Sequence, residues 1–298
     1  MGSSDRPTLV FGTSGQVALA LRALLPEAVY ISQEACDFEH PESIVAVLAK
    51  HNPSVVINPS AYTQVDLAEK EFEKALKINA EAPKKMAEWC RLNGASLVHF
   101  STDYVYRGDG DHFHLEDEKP DPPNRYGLSK LAGDQAIAAS GCHYVILRTS
   151  WVFSPWGKNF MKTMLTLGAE REALSVVNDQ IGSPTYAPDL ARAVVAITEH
   201  PKFQDKTVSG VFHAINQGIT SWHGFAEEIF NQARESGLAL RLSALNGIPS
   251  SSYPTPAVRP KNSRLDTNRL FETLNVRLRP WQEALAEGIT EYARLKNP

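Results

Sequence analysis

The apolar positions fall into short unbroken runs separated by longer stretches with helical spacing. Thr8-Leu9-Val10-Phe11 leads straight into Gly12-Thr13-Ser14-Gly15-Gln16-Val17-Ala18 and a helical pattern over 19–25. That is strand, glycine turn, helix. Further apolar runs follow at 29–31, ending in Ser32-Gln33, at 54–58, at 96–100 and at 143–148. The stretches 70–80 and 83–93 between them read as helices, with Pro83 suited to a first turn. Strands alternating with crossover helices predict an α/β fold: a Rossmann-type doubly wound parallel sheet, with ligands outside the carboxyl ends of its strands. Ser101-Thr102-Asp103 occupies such an end. After Thr149 the alternation loosens, with helices predicted over 159–171, 188–200 and 220–236 and strands over 174–179 and 210–215. The expected division is a dinucleotide-binding Rossmann domain, 1–150, and a smaller, mainly substrate-binding α/β domain, 151–298, with some segments returning to the Rossmann core.

Composition narrows the functions open to this fold. With 298 residues, 43% of them hydrophobic, the chain can fill one large or two unequal cores. A net charge of −4 gives no general attraction to nucleic acid or to anionic membranes. Cys36, Cys90 and Cys142 are widely spaced and read as packing residues of a reduced, cytoplasmic protein. Neither an eighteen-residue apolar run nor a signal-peptide pattern is present, and Arg6 breaks the N-terminal myristoylation pattern. There is no internal repeat. The stretch 107–124 is rich in charge, Gly and Pro and reads as a flexible flap. It carries His112, His114, Glu116, Asp117 and Glu118, but neither spacing nor a rigid element supports ligation, so no metal is expected. His143 reads as a strand-end residue, and the Pro- and Ser-rich tail 248–266 should wrap a ligand.

Two local patterns carry chemistry. In the glycine turn, Gly12 permits tight reversal, Gly15 lets the backbone approach a pyrophosphate at the helix N-terminus, and Ala18 allows close helix–strand packing. Ser32 stands where an NAD-specific site usually has an acid, so no carboxylate repels a 2′-phosphate there. In Tyr126-Gly127-Leu128-Ser129-Lys130, a phenol and an ammonium lie one above the other on a helical face. A nearby cation favours the phenolate, which suits proton transfer to a carbonyl.

Seven motifs in order carry a family resemblance: Gly12-x-x-Gly15-Gln16-Val17, Ala61-Tyr62-Thr63-x-Val65-Asp66-x-Ala68-Glu69, Ser101-Thr102-Asp103-Tyr104-Val105-Tyr106, Tyr126-Gly127-x-Ser129-Lys130-Leu131-Ala132-Gly133, Arg148-Thr149-Ser150-Trp151-Val152, Asp179-Gln180-x-Gly182-Ser183-Pro184-Thr185, and Tyr253-Pro254-Thr255-Pro256-Ala257-x-Arg259-Pro260-x-Asn262-Ser263. Over nearly its whole length the chain resembles the extended short-chain dehydrogenase/reductases, and within them the dTDP-4-dehydrorhamnose reductase family. The resemblance implies NADPH-dependent reduction of a 4-keto sugar nucleotide, with NADH also accepted and a dTDP-sugar as the partner molecule. It implies a catalytic set of Thr102, Tyr126 and Lys130. It places Gly12, Gly15, Gln16 and Val17 at the pyrophosphate, Asp37 and Phe38 at the adenine, and Ala61, Tyr62 and Thr63 along the dinucleotide. Asp103, Tyr104 and Trp151 fall at the sugar, and Arg259 at the diphosphate. Leu67 stands where relatives often have a lysine, and Ala20 where some place a glutamate for Mg²⁺ at a dimer contact. No Mg²⁺ and a monomer or weak homodimer are therefore expected. Two alternatives are a reductase of another dTDP-4-keto-6-deoxy sugar and a non-catalytic regulatory subunit like the β subunit of methionine adenosyltransferase.

Overall fold

The computed structural model describes residues 6–296; the opening residues weighed for myristoylation lie outside that range, apart from Arg6. A six-stranded sheet organises the chain. Its strands are β1 (Thr8–Phe11), β2 (Val29–Ile31), β3 (Val55–Asn58), β4 (Ser96–Thr102), β5 (His143–Thr149) and a sixth, Gly210–His213. Their spatial order is Gly210–His213, β5, β4, β3, β1, β2, and every pairing is parallel. The chain steps outward from β1 to β2, then returns across β1 to β3. That reversal opens a crevice at the carboxyl ends of β1 and β3.

Alternation along the strands builds two separate cores, because successive side chains point to opposite faces. Leu9, Phe11, Val56, Leu97 and Ile146 pack with α2 (Glu42–His51) and Met86 and Cys90 further along. Val10, Ile57, Val98, Val145 and Leu147 pack with Val17 and Leu21 of α1 (Gln16–Leu24) and with the helix Ala187–Glu199. Leu270, Leu274, Val276 and Leu278 belong to that second core as well. Segments far beyond residue 150 therefore close one face of the sheet. A third core, with Phe153, Leu165, Phe225, Phe230, Trp281 and Ile289, holds the helices Phe160–Glu170, Trp222–Glu235 and Trp281–Lys296 together.

The two helices expected over 70–80 and 83–93 form one continuous path. After α3 (Val65–Ala68), α4 (Phe72–Leu76) passes through a π-helical turn, Lys77–Glu81, into α5 (Ala82–Asn93). The wider turn brings Asn79 inward. Its amide oxygen accepts from Tyr62 N at 2.8 Å, and its amide nitrogen donates to Tyr62 O at 3.1 Å and to Ser129 Oγ at 2.9 Å. A local break in the i→i−4 ladder is thereby offset by bonds to the neighbouring loop and helix.

Candidate active site

A cleft of about 500 Å³ occupies the crevice. Gly12 turns the chain at φ 118°, a region that favours glycine, and a Cβ there would stand 2.7 Å from Ser60 Oγ. Ser60 donates to Phe11 O, so the turn is fastened to the strand beside it. Gly15 is different: no protein atom lies within 4 Å of where its Cβ would stand. Protein packing does not require that glycine, whereas close approach of a ligand backbone would. The first turn of α1 has neither a side-chain cap nor an acid, so its N–H groups offer positive ends to an anion. The side chain of Gln16 is turned elsewhere, accepting from Ser154 Oγ at 2.7 Å and from Asn159 Nδ2 at 2.9 Å. What Gln16 can give a pyrophosphate is its main-chain N–H.

Ser32, Asp37 and Phe38 line the far end of the cleft. Asp37 caps its own loop by accepting from Glu39 N at 2.9 Å, and Phe38 packs edge-on against Phe11 with centroids 5.4 Å apart. Ala61 and Thr63 also line it, with Val17. Tyr62 is absent from the lining; its ring is buried and its hydroxyl donates to Glu71 at 2.9 Å.

At the near end stand Tyr126 and Lys130, on α6 (Arg125–Ala139); Thr102, at the end of β4, is outside the lining and hydrogen-bonds with Tyr126. Asn124 caps α6 by accepting from Gly127 N at 2.8 Å, and its amide nitrogen donates to Val258 O at 2.8 Å. The cap of this helix thus also holds the tail segment. Two glycines let α6 approach its neighbours. A Cβ on Gly127 would lie 2.2 Å from Tyr104 O, and one on Gly133 would lie 2.1 Å from Asn79 O.

The electrostatics differ from the sequence argument. Burial is the largest cause and raises the pKa of Tyr126, while a hydrogen bond with Thr102 opposes the rise. The Lys130 ammonium instead donates to Phe100 O at 2.6 Å and faces His99 Nε2 at 3.2 Å. Burial lowers Lys130 to about 8, with Asp134 acting upward. Tyr126 therefore keeps its proton at neutral pH, which is the state a proton donor requires.

Asp103 is buried, accepts from Thr102 Oγ1 at 3.1 Å and from Ser263 Oγ, and is pushed by burial up to about 6. Tyr104 meets Tyr126 edge-on at 5.7 Å, and burial raises it to about 12. Arg259 pairs with Asp66 at 2.8 Å, so an anion there would share or displace that carboxylate. Trp151 adopts φ 49° and stacks on Trp222 at 3.7 Å, outside the cleft lining. Leu67 packs with Tyr62, Ala68 and Tyr126.

Sequence reasoning missed the polar layer beneath these residues. His99 is buried within β4 and bonds Asn58 at 3.1 Å. Asp134 accepts from Ser101 at 2.9 Å and from Arg148 at 3.2 Å, and Arg148 donates to Tyr106 at 2.7 Å. The available signal was a histidine and an arginine inside otherwise apolar strands. Thr149 lines the cleft, and its Oγ1 is buried without a protein partner. His143 sits at the start of β5, bonding Ser96 at 2.8 Å and Val208 O at 2.6 Å, away from the carboxyl ends.

The flap is anchored. His114 N donates to Arg264 O at 2.9 Å and Asp266 N to His114 O at 3.0 Å, while Gly108 O accepts from Lys261 N and Asn262 N. Main-chain pairing with the tail replaces the expected flexibility, and the tail in turn reaches Asp103 through Ser263.

The RmlD substrate binding domain family matches residues 6–294. A dTDP-4-dehydrorhamnose reductase of Salmonella typhimurium is 40% identical over 294 residues, covering 95% of this chain and 97% of that protein. A Bacillus subtilis spore coat polysaccharide biosynthesis protein, SpsK, is 38% identical over 287 residues, covering 95% and 96%. Among solved structures, the Bacillus anthracis dTDP-4-dehydrorhamnose reductase in complex with NADP superposes with a TM-score of 0.88 at 34% identity, covering 96% of this chain and 99% of that one.

Proposed function

The chain belongs to the dTDP-4-dehydrorhamnose reductase family, and from that premise we propose which of its residues carry the reduction. The reaction is NAD(P)H-dependent conversion of the 4-keto group of dTDP-4-dehydro-β-L-rhamnose to dTDP-L-rhamnose. What supports the assignment is that Tyr126 and Lys130 line the glycine-turn cleft and Thr102 hydrogen-bonds with Tyr126, beside the segment 257–263.

The cleft suits a dinucleotide: an uncapped helix N-terminus and an open glycine face it. When bound, the nicotinamide supplies the hydride. Tyr126, kept protonated by burial, gives its proton to the oxygen that becomes O4. Thr102 orients that oxygen through its hydroxyl, and Lys130 holds the ribose with an ammonium already aligned by Phe100 O. Asp103 and Tyr104 contact the sugar, and Arg259 meets the diphosphate by releasing part of its bond to Asp66.

NADPH is the expected cofactor, with NADH accepted, because Ser32 places no acid beside the ribose. The B. anthracis relative bound to NADP supports this choice. Mg²⁺ is not required. Ala20 cannot ligate, and Asp189 is engaged by Arg192, Arg279 and Asn216. A monomer or weak homodimer in the cytoplasm remains the expectation; among the described residues no helix is long and apolar enough to cross a membrane. The likeness to SpsK supports a place in polysaccharide synthesis.

The test is Tyr126→Phe. Turnover of dTDP-4-dehydrorhamnose should fall by a factor of about 10² to 10⁴ with cofactor affinity nearly intact, and the wild-type product should be dTDP-L-rhamnose. Near-normal turnover would remove Tyr126 from the chemistry; a different product sugar would move the enzyme to another 4-keto-6-deoxy substrate.

A further inference from the structure

On the outer side of the anchored loop, three donors come together that the reduction does not use. His112, His114 and Glu118 each offer one ligand atom, and these atoms all lie within 4.8 Å of one another. His114 is buried, stacked face to face on Tyr106 with centroids 4.6 Å apart, so its ring direction is fixed. Both of its ring nitrogens face acceptors. Nε2 lies 3.3 Å from Asn262 O, and Nδ1 lies 2.9 Å from each oxygen of Glu118. A neutral imidazole carries one N–H and can satisfy only one of those sides. In a neutral ring whose Nε2–H serves Asn262 O, the Nδ1 lone pair points at the carboxylate, and a cation bound between them in place of a proton would satisfy both. His112 Nε2 stands 3.4 Å from the same carboxylate, supplying the third donor.

We propose that His112 Nε2, His114 Nδ1 and Glu118 bind one divalent transition ion of the Zn²⁺ class, with water in the fourth position. Two imidazoles and one carboxylate are a borderline donor set that suits Zn²⁺ over Mg²⁺ or Ca²⁺. A tetrahedral ion with bonds of about 2.0–2.1 Å holds its donors about 3.3 Å apart. The His112–Glu118 spacing already meets that figure, the His114–Glu118 pair needs to open by a few tenths of an ångström, and the two histidine nitrogens, within 4.8 Å of each other, need to draw together on the ion. The bond from His114 Nε2 to a backbone carbonyl is the kind of outer contact that fixes the tautomer and orientation of a ligating histidine.

The ion would brace the loop against the tail. His112 O accepts from Asn262 Nδ2 at 2.8 Å, and Asn262 precedes Ser263, which bonds Asp103. The site is thus a structural tie behind the Asp103 pocket, independent of the catalytic assignment.

Chelator-treated full-length protein should take up one equivalent of Zn²⁺ by calorimetric titration. Co²⁺ in its place should give the intense visible bands of a four-coordinate ion. His112→Ala and Glu118→Gln should each weaken uptake at least about tenfold, whereas His40→Ala, at an exposed histidine outside the cluster, should bind like wild type. Amide exchange over 107–124 should slow when Zn²⁺ is bound. Failure to take up an equivalent, or unchanged uptake in both ligand variants, would overturn the site; uptake without slower exchange would overturn the bracing role.

Discussion

The Lys130 ammonium is held by two uncharged acceptors, Phe100 O and His99 Nε2, while the acid that supports its charge, Asp134, is engaged by Ser101 and Arg148. Burial brings Lys130 to about 8, and Asp134 acts against that fall. As pH rises through about 8, the free enzyme loses the charge that faces the ribose, so kcat/KM should decline on that limb. Removing the carboxylate lowers the pKa further. In Asp134→Asn the alkaline limb should therefore move to lower pH, and a limb that stays in place would belong to another group. Ser32 allows a second test at this scale. Ser32→Asp puts a negative charge beside the expected 2′-phosphate, and the NADPH/NADH preference should shift toward NADH by about tenfold or more, equivalent to about 1.4 kcal/mol. An unmoved ratio would mean that residue 32 does not lie beside the ribose.

The element on which the site depends is α6, set by its fit against the π-helical turn Lys77–Glu81. Gly133→Ala would place a methyl 2.1 Å from Asn79 O, and backbone there has little room to retreat. Overpacking of this kind costs about 1–3 kcal/mol. Because Lys130 lies less than one turn away, turnover should fall with the denaturation midpoint; a variant with both unchanged would show that the close approach is not needed. This fit also marks where the sequence stops being readable. Strand, glycine turn and α1 were legible because β-branched runs, glycines and helical spacing are local signals. Helix α6 was found through its motif, since Gly127, Ser129, Lys130, Gly133 and Asp134 are buried on it and blur any apolar stripe. The π turn left no mark, because its cause is Asn79 bonding Tyr62 and Ser129 across the fold. Likewise the i, i+4 spacing of Tyr126 and Lys130 could not show that the ammonium bonds Phe100 O and His99 on β4. The helix Trp281–Lys296, by contrast, shows its apolar positions at 281, 284, 285, 289 and 292 plainly, although the sequence reading assigns no element past Asp266.

For the molecule as a whole, the region around Asp189 bears on assembly. Asp189 and Glu287 are both paired with Arg192 and Arg279, which leaves these carboxylates committed to arginines. Adding millimolar Mg²⁺ to chelator-treated protein should change neither turnover nor sedimentation, and a Mg²⁺-dependent dimer would contradict this arrangement. The third core joins 153–165 to 281–289, so the C-terminal helix is part of the folded body and not an appendage. The bonds that complete the active site span long stretches of chain: Asp103 to Ser263, Asp66 to Arg259, Asn124 to Val258. Every residue lining the dinucleotide cleft, in contrast, lies at or before Lys158. During synthesis from the N-terminus, the ribosome therefore releases all of the dinucleotide-facing residues about a hundred residues before the partners of Asp66, Asp103 and Asn124 emerge. A nascent chain arrested before residue 257 carries Thr102, Tyr126 and Lys130 but none of those three contacts, so the tail side of the site is the last to leave the tunnel.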